Sequence, residues 1–126
     1  MNNTQLAEAL FDALENGDAD AVRAICAHDL AASQNGRTPM NVDGLLRFAQ
    51  AVKRVVPDFR YADARRAATA SGFVEEHRVC GTLPDGSALD VAVCVVADVH
   101  AGKVVALREY LDTAAATTLL RALSRR

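Results

Sequence analysis

The sequence predicts an α+β domain in which three helices precede an antiparallel sheet and a fourth helix closes the chain. Three observations predict it. Apolar residues recur at helical spacing up to Pro57, runs rich in Val, Ala and Thr follow as far as residue 111, and short turn sequences separate those runs.

From Thr4 to Asn16, Leu6, Leu10, Phe11 and Leu14 share one helical face, with Asn3 as a predicted cap and Gly17 as the stop. Asp18 is placed to cap a second helix through "ADAVRAICA", and "HDLAASQNG" reads as a turn and a short strand. "VDGLLRFAQAVKRVV" is a third helix, stopped by Pro57 because the residue before a proline disfavours the α region. Four strands are then predicted over 59–69, 72–83, 87–99 and 103–111. The "SG", "PDG" and "AG" breaks between them are too tight for anything but antiparallel neighbours. "DTAAATTLLRALSRR" is the closing helix, with Asp112 as its predicted cap and basic residues at its end.

Composition narrows the function. A chain of 126 residues, 51% hydrophobic, reads as one domain over 1–126 that can bury a core without disulfides or metal. Its 14 basic and 16 acidic residues are scattered, so no sustained positive field gathers phosphates, and nucleic acid is not expected as a partner. Cys26, Cys80 and Cys94 suit neither a disulfide framework nor a metal site, and are expected as buried thiols in a reducing compartment. No signal-peptide pattern opens the sequence and no apolar run approaches the roughly 20 residues that cross a bilayer. The expectation is a soluble cytoplasmic protein with no membrane partner. No phosphate loop, GxSxG elbow or HExxH motif occurs.

The segments "FDALENGDADAVRAICAHDL", "FVEEHRVCGTLPDG" and "GKVVALREYLD" together resemble the SnoaL-like branch of the nuclear transport factor 2-like superfamily. That resemblance implies a cone in which helices pack into the concave face of a curved antiparallel sheet around an apolar cavity, commonly in a homodimer. The superfamily includes ketosteroid isomerases, limonene epoxide hydrolases, polyketide cyclases and dehydratases, as well as members without catalysis. Membership therefore speaks to fold more than to function.

Strand alternation points Val105, Leu107, Glu109 and Leu111 one way and Arg108 and Tyr110 the other. A carboxylate on the apolar side loses water, which raises its pKa toward the range useful for proton transfer. Glu109 is thus the leading catalytic candidate. Its place in "REYLD" is similar to that of the residue with which limonene epoxide hydrolases activate water, and Arg78 falls where that family has an arginine between two carboxylates. The second carboxylate position is Cys80, however, and "LAASQNG" offers Gln34 but no tyrosine, which counts against epoxide hydrolysis. Phe11 and Leu14 likewise replace the tyrosine that ketosteroid isomerisation needs on the first helix.

The expected site therefore has Glu109 and Arg78 as polar groups, with Glu76 and Cys80 on Arg78's strand face and Gln34 near the mouth. Phe11, Phe48, Phe59 and Leu107 are expected as apolar walls, although the phenylalanines and Tyr61 are equally readable as plain core. A Glu–Arg pair in that setting is also readable as a buried structural pair. His77, with Phe73, Glu75 and Val79, is expected on the opposite face, in solvent or at a dimer interface. His28 and His100 lie beside turns, and no metal or cofactor is expected. The reading is a homodimeric cone that holds a small apolar or polycyclic molecule, with cofactor-free isomerase, cyclase, dehydratase or hydrolase chemistry. The alternative is a non-catalytic binding or interaction module.

Overall fold

The computed structural model describes residues 1–125; Arg126, the last residue of the predicted closing helix segment, lies outside them. Helix α1, Asn3–Asn16, starts on a capping box. The Asn2 side chain accepts from the Gln5 amide at 2.8 Å while the Gln5 side chain accepts from the Asn2 amide at 2.9 Å. The cap is thus Asn2 rather than Asn3, whose own side chain reaches across to donate to the Gly72 carbonyl at 2.9 Å. Gly17 ends α1 in the left-handed region, at φ 68°. Asp18 caps α2, Ala19–Ile25, which stops earlier than the sequence suggests because Cys26 is drawn into strand pairing with Val104. Asn41 caps α3, Val42–Val55, which ends just ahead of Pro57 as expected.

Five strands follow one another in space in the order β1-β5-β4-β3-β2. They are β1, Cys26–Gln34; β2, Arg60–Ala68; β3, Gly72–Thr82; β4, Ala88–His100; and β5, Lys103–Leu111. Strands β2 to β5 form the predicted antiparallel meander. The short strand expected near residue 30 is a full strand that docks parallel to β5, so the sheet is mixed. Irregularities between Ala62 and Arg65 and between Asp98 and Val99 interrupt the register, as bulges do when they bend a strand. Gly72 opens β3 where nothing larger fits: a Cβ there would stand 2.0 Å from the Ala97 carbonyl oxygen of β4.

Helix α4, Thr117–Ser124, begins later than predicted. Asp112 accepts from the Ala114 amide at 2.9 Å and so closes the turn ahead of the helix instead of capping it. The core lies between the helices and one face of the sheet. Leu6, Leu10 and Phe11 of α1 and Leu46 of α3 pack against Phe73, Val93, Val95 and Leu107, each such side chain contributing about 1.5–3 kcal/mol by leaving water. Among the described residues, no helix is long and apolar enough to cross a membrane.

Candidate functional site

Cross-strand register decides which charges meet. Residues directly opposite in neighbouring strands share a face, and successive pairings link Arg66 to Glu75, Glu75 to Val95, Val95 to Glu109 and Glu109 to Gln34. One transverse row of the sheet therefore carries two carboxylates, a guanidinium and an amide toward the helices. The next row places His77 opposite Val93, and Val93 opposite Leu111.

Between this face and the helices lies a cavity of about 110 Å³, bordered by Phe11 of α1, Phe48 of α3, Phe59, and Tyr61 at the start of β2. Leu107, Glu109 and Gln34 complete the wall on the sheet side. Of the residues named from the sequence, Glu109, Gln34, Leu107, Phe11, Phe48 and Phe59 all border this cavity.

Glu76, Arg78 and Cys80 do not. They lie on the convex face, where Arg78 Nε donates to Asp90 Oδ1 at 2.6 Å and Cys80 Sγ approaches the same carboxylate. The reason is the alternation of β4: Leu89, Val91, Val93, Val95 and Ala97 are buried while Asp90 is exposed. Arg78 pairs with Ala92 and Cys80 with Asp90, so both follow β4's outward set. Glu109 has no Arg78 beside it. His77 is corrected in the opposite sense, since it is buried on the concave face rather than solvated or at an interface. Cys26 is buried, and burial pushes its thiol up to about 11 against the nearby Lys103, whereas Cys80 and Cys94 are only half-buried. Arg108 points outward as read, donating to Asp98 at 2.8 and 3.3 Å.

The cavity's electrostatics follow from which groups have partners. Gln34 Nε2 donates to Glu109 Oε2 at 3.0 Å and orients the carboxyl. Dense packing around that carboxyl pushes its pKa up, opposed by the Gln34 hydrogen bond. Burial, then the carboxylates of Glu109, Glu15 and Glu75, push the Tyr61 phenol up, so it remains a protonated donor. Glu75 is fully buried, with each oxygen taken: Arg66 Nε donates to Oε1 at 2.6 Å and His77 Nδ1–H donates to Oε2 at 2.6 Å. Among the described residues, no three His, Cys, Asp or Glu side chains group as a metal site.

Sequence reasoning passed over Glu75, His77 and Tyr61. Charge pairing could not have singled them out, because the short "TASG" connection sets Arg66 opposite Glu75 on one face and Arg65 opposite Glu76 on the other.

A helix-covered concave sheet with an apolar cavity and a buried carboxyl in its wall defines a class of protein, the small-molecule-binding α+β cone. The family model of the SnoaL-like domain matches residues 7–107, and the chain belongs to that family. Comparison with curated proteins gave no match. Among solved structures, the chain is similar to IdmH of Streptomyces antibioticus, described as a candidate polyketide cyclase. The two are 19% identical, with a TM-score of 0.82, covering 98% of this chain and 99% of that one. A candidate polyketide cyclase of Pseudomonas putida is 22% identical, with a TM-score of 0.77 over 89% and 92% of the two chains. A Catenulispora acidiphila protein with a ketosteroid isomerase-like fold, solved with trimethylamine, is 10% identical, with a TM-score of 0.75 over 86% of each chain. These likenesses carry the fold: an α+β cone of the nuclear transport factor 2-like kind.

Proposed function

We propose that the protein binds a small, largely apolar molecule in the cone and performs cofactor-free proton transfer on it, with Glu109 moving the proton. One observation carries this reading: the Glu109 carboxyl borders an apolar cavity, is oriented by Gln34, and has its proton affinity raised by burial. In its ionised form it abstracts a proton from a carbon next to a carbonyl. The Tyr61 hydroxyl, kept protonated in the same wall, serves as a donor to the enolate oxygen that develops. Isomerisation, ring closure and dehydration all use that step. The names of the similar structures favour cyclisation among them.

The test uses small enolisable aryl ketones, acetophenone and 1-tetralone, in D2O. Wild type is expected to catalyse deuterium uptake, read by mass spectrometry, and Glu109→Gln to lose at least about 100-fold of it. Uptake unchanged in Glu109→Gln removes Glu109 from the mechanism. Binding without uptake leaves the second reading, a non-catalytic binding module. The small volume, close to a single aromatic ring, disfavours polycyclic ligands. We further infer that two copies pair around Tyr110 of β5, which is 47% exposed beside half-buried Cys94, leaving the Arg78–Asp90 pair of β3 and β4 in water. Sedimentation of wild type against Tyr110→Glu tests that pairing.

A further inference from the structure

Behind the cavity wall stands a polar atom that the mechanism above does not use. His77 Nε2 is fully buried and has no hydrogen-bond partner in the protein. Leaving such an atom unmatched costs stability, and its neighbours leave it no alternative. The ring lies edge-on to Phe11, centroids 4.9 Å apart, and tilted on Tyr61, centroids 4.6 Å apart. Both of those residues line the cavity. The charged and titratable groups around it are Glu75 on its own strand, Arg66 and Tyr61 on β2, and Glu109 on β5.

The tautomer follows from the partners. A carboxylate only accepts, and Glu75 is held by Arg66 on its other oxygen, so the hydrogen bond at 2.6 Å requires the proton on His77 Nδ1. In the neutral ring Nε2 is then an unpartnered lone pair packed against Phe11 and Tyr61. A lone pair just behind an apolar cavity wall selects a hydrogen-bond donor on an otherwise apolar molecule.

We propose that His77 Nε2 is a ligand-binding site for a phenolic or enolic hydroxyl, reached between the edges of Phe11 and Tyr61. The ligand class is accordingly a hydroxylated aromatic or enolised ring, with its hydroxyl directed to β3 and its reacting carbon to Glu109. Those two groups stand two strands apart, about 10 Å between backbones. The inference rests on the cavity-binding reading above and deepens it by naming the functional group recognised. Glu75 and Arg66 act as positioning residues, fixing the ring and its tautomer.

Phenol and benzene are the probes, because the cavity of about 110 Å³ is close to the size of one ring. Affinities are measured by calorimetry for wild type, His77→Asn, His77→Gln and Glu109→Gln, and imidazole nitrogens are followed by NMR in labelled wild type. Asparagine places an amide donor near the position of Nδ1, so Glu75 keeps a partner while Nε2 is removed; glutamine restores a polar atom near Nε2. In wild type, phenol is expected to move the His77 Nε2 resonance and benzene to leave it in place. The phenol-to-benzene affinity ratio should fall about tenfold in His77→Asn and recover in part in His77→Gln. A ratio that survives His77→Asn, or that falls in Glu109→Gln instead, overturns the proposal while leaving the cavity reading intact. If neither probe binds wild type, the cavity reading fails and this inference with it. Should His77→Asn not fold, the nitrogen shift in wild type decides alone, an unmoved Nε2 with phenol bound being the refuting result.

Discussion

The two faces of one sheet carry the same kind of ion pair at the same distance, yet the pairs have different consequences. On the convex face Arg78 Nε meets Asp90 Oδ1 at 2.6 Å with side chains 41% and 55% exposed; on the concave face Arg66 Nε meets Glu75 Oε1 at 2.6 Å with Glu75 wholly covered. Water screens the first pair, and the two long side chains lose rotamer freedom to form it, so its net worth is small. In the second pair Glu75 has no water to fall back on, while the Arg66 side chain stays 24% exposed with Glu8 at 4.0 Å. Removing Arg66 strands a buried carboxylate, and removing Glu75 leaves a buried histidine without its acceptor. The difference is one residue of strand parity, and it separates surface decoration from the framework of the candidate site.

The largest expected effect breaks the concave pair. Glu75→Ala should destabilise the protein by about 3–5 kcal/mol in urea unfolding, because Arg66 and His77 both lose their acceptor. A loss near zero would make the two faces equivalent and remove the contrast.

A smaller effect is expected at Glu109, and its sign follows from the direction of the shift. Burial raises its folded pKa above the ordinary carboxyl value, so the folded state binds the proton more tightly than the unfolded state does. Its contribution to stability is therefore most favourable below the unfolded value, roughly 4.3, and declines as pH rises through the raised folded one. Glu109→Gln should flatten this decline and gain stability relative to wild type on going from acid to neutral pH, as read by thermal melts across pH. If Glu109 is the base, wild-type turnover rises with pH over the same window. Parallel melts for the two proteins would place the carboxyl in contact with bulk water.

The smallest effect belongs to the convex face. Arg78→Ala should leave the melting temperature unchanged within error at physiological salt, and any difference seen at low salt should disappear as salt is added. A salt-independent loss would show that this face is covered in solution.

The legible parts of the molecule are those set by neighbours in sequence. Gly17, Asp18 and Pro57 announce helix ends through backbone geometry and capping chemistry that act within a few residues. Glu109 could be assigned to the cavity because Leu107 and Leu111 flank it on an apolar alternation. Strand β3 offers no such cue, since "VEEHRVC" is polar on both parities. The likeness of Arg78 to a family arginine therefore chose the face of Glu76 and Arg78 for the cavity, and pairing with β4 puts Glu75 and His77 on the concave face instead. Asn3, read as the cap of α1, is displaced by Asn2 because the Asn3 side chain reaches the distant Gly72 carbonyl.

By itself, then, the sequence determined the α+β class, the order of helices and antiparallel strands, the turns, and the assignment of Glu109 to an apolar strand face. All of these follow from periodicity and from residues acting on their near neighbours. The tertiary structure decided the parallel docking of β1, which brings Gln34 to Glu109 across 75 positions in the chain. It also decided the inward parity of β3, which buries Glu75 and His77 and turns Arg78 to solvent. Register is a property of a pair of strands, and a one-residue change of parity reverses every side chain, so no single strand carries that information.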